Sequence, residues 1–388
     1  MTPVRVAGVG LTSFGTTPER TSRDLFAEAA TAAFSDSDVP RSDVDAVLYG
    51  NFMGELAEHQ GHQGPLMAEA AGVAAPATRY EAACASSGAA VRDAVVRLRS
   101  GVDDVVLVGG AERMTNLGTA GATEALAIAA DDLWEVRAGM TFPGAYALMA
   151  RAYFERYGGT REDLAHVAVK NHANALENEK AQYQREIGVA DVLEAPMVSS
   201  PLGLYDACPI SDGAAALVLV SERYADEHGL DVPVAITGTG QGGDRLALQD
   251  RTHLARTPAG REAAEAAYAD AGIGADAVDL AEVHDCFTIA EALALESVGL
   301  VPTGEAITAA RDGLTTATGA LPVNLSGGLK AKGHPVGATG ASQIAEMAQL
   351  LRGDHVNSAA VPDATVGLTH NAGGTVASAF VHVLEVSR

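Results

Sequence analysis

Cysteine is scarce in this chain of 388 residues, present only as Cys84, Cys208 and Cys286. Three cysteines cannot make an even disulfide framework, and none falls in a CxxC pair. Neither a secreted disulfide scaffold nor a zinc site of the chain's own is expected, and the metal expectation is none. Aromatic residues make up 5%, with a single tryptophan. No run approaches the ~18 to 20 apolar residues that span a bilayer. The opening Met1-Thr2-Pro3-Val4-Arg5-Val6 lacks the charge, apolar stretch and cleavage site of a signal peptide. A cytoplasmic protein without membrane association is the expectation. Positive charge is thin as well: lysine occurs four times, at 170, 180, 330 and 332, so the rest of the 26 basic residues are arginines, against 50 acidic ones. A formal net charge of -24 argues against nucleic-acid binding through phosphate neutralisation and against anionic membranes. Such a surface repels itself in dilute buffer and is screened in concentrated salt, so a salt-rich cytoplasm is expected; the competing reading is an ordinary acidic protein.

What the chain does have is glycine, 42 residues of it, and a 47% hydrophobic content sufficient for two core-forming units. One architecture is written twice. A strand-like Val4 to Val9 and a helical stretch near Ser22 to Phe34 answer Pro233 to Gly240 and Pro258 to Ala271. The buried-strand patterns at 44–52 and 278–287 correspond, and so do the small-residue turns that lead into helices, Cys84-Ala85-Ser86-Ser87-Gly88 and His334-Pro335-Val336-Gly337-Ala338-Thr339-Gly340. A strand with a glycine-rich end follows each, Val105 to Gly110 and Thr365 to Gly374. Apolar strands alternating with helices predict an α/β fold with mostly parallel sheets. Residues from about 116 to 205 have no counterpart and read as an insertion in a first half of 1–229, followed by a second half of 230–388.

Four segments can carry chemistry. Cys84 stands at a turn into a helix, where dipole and free N–H groups favour a thiolate and an amide can hold an oxyanion. A lone cysteine is more often a small core residue, and only this context lifts it. His284-Asp285-Cys286-Phe287 closes an apolar strand; its His and thiol suit an oxyanion donor and a proton shuttle, or equally a capped strand end. In Lys330-Ala331-Lys332-Gly333-His334-Pro335, glycine lets backbone approach a ligand closely while the imidazole acts as a base. His370-Asn371-Ala372-Gly373-Gly374 ends in a turn whose N–H groups can belong to an oxyanion site. The clusters Gly8-Val9-Gly10 and Gly238-Thr239-Gly240 make no GxGxxG run at a strand-to-helix turn, and no P-loop or HExxH spacing is present. Cys208 reads as a packing residue, and Met140 and Met149 as core.

In this order the segments resemble the thiolase superfamily over essentially the whole chain. Cys84 looks like its acyl-accepting cysteine, Gly333-His334-Pro335 is its GHP motif, and His284-Asp285-Cys286-Phe287 is similar to the HDCF motif of the sterol-carrier-protein and archaeal-type branch. The resemblance implies duplicated halves in a five-layer αβαβα fold with an inserted loop domain. One departure stands out: where other thiolases carry a second catalytic cysteine in a CxG motif, this chain has Asn371. In the HDCF branch that role passes to Cys286. Catalytic Cys84, His284, Cys286 and His334 are implied, with Gly373, Asn371 and Gly374 at the oxyanion and substrate site.

By the same resemblance the chain is an acetyl-CoA C-acetyltransferase acting on coenzyme A thioesters with no covalently bound cofactor. Claisen condensation would run through an acyl-Cys84, with Cys286 taking the α-proton, the two histidines holding the enolate oxygen and the Cys84 and Gly373 amides holding the tetrahedral one. A longer-chain 3-ketoacyl-CoA thiolase, a retro-aldol lyase and a non-catalytic lipid-binding subunit are the alternatives. A homodimer or tetramer is implied, with a zinc-ribbon/OB-fold partner and hydroxymethylglutaryl-CoA synthase as companions. Lys330 and Lys332 reach CoA phosphates or lie on a solvated loop.

Overall fold

A computed structural model describes residues 2–386. Its strands are β1 (Val4–Leu11), β2 (Ala46–Gly50), β3 (Ala77–Tyr80), β4 (Val105–Glu112), β5 (Met197–Ser199), β6 (Leu202–Gly203), β7 (Gly213–Ser221), β8 (Val234–Gly243), β9 (Leu280–Val283), β10 (Val366–Gly373) and β11 (Ser378–Val386). Nine of them hydrogen-bond in the order β3-β2-β4-β7-β1-β8-β11-β10-β9, while β5 and β6 form a separate hairpin.

A short antiparallel seam joins β1 to β8, Val4 opposite Ile236 and Arg5 opposite Ala235. Outward from it the two sides repeat: β1-β7 and β8-β11 are antiparallel, as are β7-β4 and β11-β10, and then β4-β2 and β10-β9 are parallel. Where β2 pairs with β3, the second half keeps a single parallel bridge, Ala281 with Val323. The duplication is thus built around the seam.

The expectation of mostly parallel sheets is overturned, since five of the eight strand pairings in the large sheet are antiparallel. The physical reason is that the unbroken apolar pattern reports burial of both strand faces, not direction. Every residue of β4 and β7 is buried, although they run antiparallel to one another. Helices cover both faces. Ser22–Ser35, capped by Thr21 and Asp24, turns Leu25, Phe26, Ala29, Ala30 and Ala33 onto β1 and β7, and Pro258–Ala271 covers β8 and β11 in the same way.

Between the sheet halves, the helices Ser86–Arg99 and Thr339–Arg352 pack on each other, completing the αβαβα layering. The latter is buried almost all round, Leu351 through Thr339. Their first turns touch closely enough to require glycine. A Cβ on Gly340 would sit 2.4 Å from the Gly88 nitrogen, and one on Gly88 2.6 Å from Asn371 Oδ1. Between β4 and β7 the chain leaves the sheet to form four helices, Gly118–Ala127, Phe142–Tyr157, Arg161–Ala175 and Val189–Glu194, and the β5-β6 hairpin. No helix among the described residues is long and apolar enough to cross a membrane.

Candidate active site

The two turns that start the central helices face each other. Ser86 Oγ ties the first, accepting from Ala82 N–H at 3.0 Å and donating to the Ala83 carbonyl at 2.6 Å. Ala83 is held at φ 50°, a left-handed conformation that costs an alanine about 1–2 kcal/mol, and Cys84 comes next. Ser211 Oγ accepts the His334 N–H at 2.9 Å in the second turn, and Glu112 accepts the Gly337 N–H at 3.0 Å. Glu112 also accepts the N–H groups of Phe52 and Met53, so one buried carboxyl stitches three segments together.

The Cys84 sulfur and one ring nitrogen each of His284 and His334 lie within 4.8 Å of one another. The imidazoles stand nearly perpendicular, their centroids 5.0 Å apart. Their hydrogen bonds distinguish them. Asn371 Nδ2 donates to the Cys84 carbonyl at 3.1 Å and to His284 Nδ1 at 3.2 Å. Turning the amide over would set its oxygen against a carbonyl oxygen, so the nitrogen belongs there. His284 Nδ1 is therefore an acceptor, and the proton sits on Nε2. In His334 the reverse holds: the Thr339 hydroxyl donates to the Pro335 carbonyl at 3.1 Å and accepts from Nδ1–H at 2.9 Å, leaving the Nε2 lone pair free. Both Nε2 atoms are buried without a hydrogen-bond partner among the described residues. One histidine thus offers a proton and its neighbour a lone pair. A Cys-His-His group would suit a soft cation, but with its Nδ1 occupied and Nε2 protonated, His284 has no free lone pair, and the set does not fit a metal.

Cys84, Cys286 and His334 line a largely apolar cavity of about 250 Å³, with Met114, Phe142 and Ile210 among its walls. His284 and Cys286 lie just past the end of β9. Tyr146, stacked on Phe287, donates its hydroxyl to the Gly374 carbonyl at 3.0 Å and also meets the Cys286 side chain. Sequence reasoning missed Tyr146, as it missed Thr339 and Glu112. Only Glu112 left a trace, a lone acid closing an apolar strand.

Burial sets the protonation of these groups. It pushes the Cys84 thiol up to about 12, opposed by the Gly374 N–H that bonds to the sulfur. The expected stabilised thiolate is corrected accordingly: desolvation outweighs the turn's N–H groups. Burial likewise lifts Cys286 well above the usual thiol range and lowers His334 to about 3. Burial thus favours the neutral form of all three groups. The amide at the sulfur belongs to Gly374, whereas Gly373 lies within β10, paired with Ser378.

Two more expectations are corrected. Lys330 and Lys332 neither reach outward nor lie on a solvated loop; they are 2% and 1% exposed. Lys332 pairs with Glu346 at 3.4 Å, and Lys330 points toward His172 and the Tyr205 ring. Backbone glycine content made the segment look like an open loop, but Asp285 accepts the N–H groups of Leu329 and Lys330 and pulls it inward. Cys208 is not merely packing, for it lines the same cavity as the other two cysteines. Met149 is core and Met140 packs against it.

Comparison with known proteins gives two family matches, "Thiolase, N-terminal domain" over residues 4–223 and "Thiolase C-terminal domain-like" over 240–386. The chain is 44% identical over 386 residues to an acetyl-CoA acetyltransferase of Methanothermobacter thermautotrophicus, covering 99% of this chain and 100% of that one. It is 39% identical to one of Methanocaldococcus jannaschii, with both chains fully covered. Among solved structures it is similar to a chain of the Ltp2-ChsH2(DUF35) aldolase, with a TM-score of 0.83 and 28% identity over 100% of this chain and 98% of that one.

Proposed function

The chain belongs to the thiolase family, and on that premise we propose that it is an acetyl-CoA C-acetyltransferase that makes and cleaves acetoacetyl-CoA through an acyl-Cys84 intermediate. The observation that carries this reading is the Cys84 thiol set against two imidazoles of opposite tautomer. The names of both archaeal relatives support the substrate.

The protons must balance in a buried site. His334 Nε2, the free lone pair, takes the Cys84 proton as the sulfur attacks an acetyl-CoA thioester. Gly374 N–H bonds to that sulfur and lies beside the new tetrahedral centre. A neutral Cys286 cannot act as a base until it has lost its own proton, and the departing CoA thiolate is the acceptor. The Cys286 thiolate then removes the α-proton of a second acetyl-CoA. The enolate oxygen forms beside the Nε2–H of His284 and the Nε2–H that His334 has gained. Carbon–carbon bond formation expels the Cys84 thiolate, which recovers its proton from His334. Thiolysis is the reverse.

The same reading makes the protein at least a homodimer in a salt-rich cytoplasm, working with an OB-fold partner and in the company of a hydroxymethylglutaryl-CoA synthase. The partner is favoured by the Ltp2-ChsH2(DUF35) name of the structural neighbour. That name also says aldolase, which keeps a retro-aldol lyase as the second reading. A lyase has no use for an acyl-accepting thiol beside a base. The deciding experiment is CoA-dependent cleavage of acetoacetyl-CoA in molar KCl, with and without OB-fold candidates. Cleavage that disappears in Cys84→Ala is expected; cleavage that survives in that variant, or CoA-independent cleavage of a β-hydroxyacyl-CoA, would overturn the proposal in favour of the lyase.

A further inference from the structure

Cys208 has no task in the reaction above, yet its thiol shares a cavity with both working cysteines. Backbone pairing fixes its place. Ala207 and Phe287 form an antiparallel bridge, and the Cys208 N–H donates to the Cys286 carbonyl at 2.9 Å. One step along that bridge, Cys208 stands directly opposite Cys286. Side chains of opposed residues leave an antiparallel pair on the same face, with Cβ atoms about 4.5–5.5 Å apart. A disulfide forms across Cα separations of about 4.4–6.8 Å, which covers the ~5.5 Å of such a hydrogen-bonded pair, and across Cβ separations of about 3.5–4.5 Å, so the two segments must close by about 1 Å as the bond forms.

Access favours oxidation at Cys208. It is half-buried where Cys84 and Cys286 are buried, so a small oxidant meets it first. Burial lifts its thiol above the usual range, and the nearby Lys330 ammonium is the leading charge that opposes this. Of the ionisable groups acting on Cys286, Cys208 is the strongest after burial itself.

We propose that Cys208 and Cys286 are a paired modification site, closed to a disulfide by hydrogen peroxide and reopened by a dithiol, with catalysis off while it is closed. The Cys208 thiolate attacks one peroxide oxygen and becomes a sulfenic acid as the other leaves as hydroxide. The Cys286 thiol then attacks that sulfur, releasing water; two electrons pass from the two thiols to the peroxide, which ends as two waters. The loss of catalysis rests on the proposed role of Cys286, while the bond itself does not.

The two claims separate experimentally. Cys84→Ala leaves only Cys208 and Cys286 as thiols, and brief peroxide treatment of the folded variant is expected to lower its intact mass by two hydrogens and abolish its free thiols, both reversed by dithiothreitol. In the native protein, peptide mapping is expected to join Cys208 to Cys286, with acetoacetyl-CoA cleavage lost at least tenfold and restored by reduction. Cys208→Ser, compared with its own untreated sample, should keep its activity after the same exposure once Cys84 is shielded as the acetyl-enzyme. A bond mapped between Cys84 and Cys286, or sulfinic acid at Cys208 with no cross-link, would overturn the inference. A cross-link that forms on oxidation in a protein that cleaves no acetoacetyl-CoA even when fully reduced would instead overturn the proposed function.

Discussion

At the scale of single residues, the site works by fixing where protons are not. Asn371 denies His284 a proton on Nδ1, and Thr339 takes up the one on His334. Asn371→Ala should therefore lower kcat by about 10²-fold, the usual cost of losing an oxyanion donor, with KM nearly unchanged; an unaltered kcat would mean that the amide only packs. A second expectation follows from the neutral Cys84. With its thiol pushed up to about 12, alkylation by iodoacetamide should be slow at neutral pH and climb about tenfold per pH unit through pH 9, because the thiolate is the nucleophile. A plateau near pH 7 would reveal a preformed thiolate-imidazolium pair. Cys84, His284, Cys286, His334 and Asn371 could all be picked from the sequence because short motifs mark them. Thr339 and Tyr146 could not, since nothing local distinguishes a hydroxyl that meets a candidate catalytic group through the fold. Cys208 was hidden for the same reason: its partner is 78 positions away in a bridge of one residue pair.

At the scale of elements, the contact between the central helices carries the candidate site, because one helix begins just after Cys84 and the other a few residues after His334. Gly340→Ala drives a methyl group into the Gly88 backbone and Asn371 Oδ1. An unfolding free energy lower by about 1–3 kcal/mol is expected from chemical denaturation, the range for overpacking a close-fitted interior, together with reduced activity. Gly15→Ala is the control, for nothing lies within 4 Å of a Cβ there. The helices and strands were readable from apolar runs and small-residue turns. Strand direction was not, because a strand covered on both faces has the same pattern whichever way it runs.

At the scale of the whole molecule, most of the charge imbalance lies on the surface. Lys170, Lys330 and Lys332 are buried, but so are nine acids, Glu112, Glu282, Asp285, Glu291 and Glu346 among them, and the remaining acids still outnumber the arginines and Lys180 outside. The melting temperature should rise by several degrees between dilute buffer and molar KCl as that repulsion is screened; a flat response in differential scanning fluorimetry would count against a salt-adapted protein. The duplicated pattern was legible across the chain, whereas the β1-β8 seam that joins the halves was not, being only two residue pairs long. That seam has an evolutionary consequence. The turn bearing Cys84 in one half answers the turn bearing His334 in the other, so two identical copies assembled in this way would present either two thiols without a base or two bases without a thiol. With both copies in one chain, as here, each turn can mutate alone, and a division of chemical labour arises at the point where symmetry would otherwise forbid it.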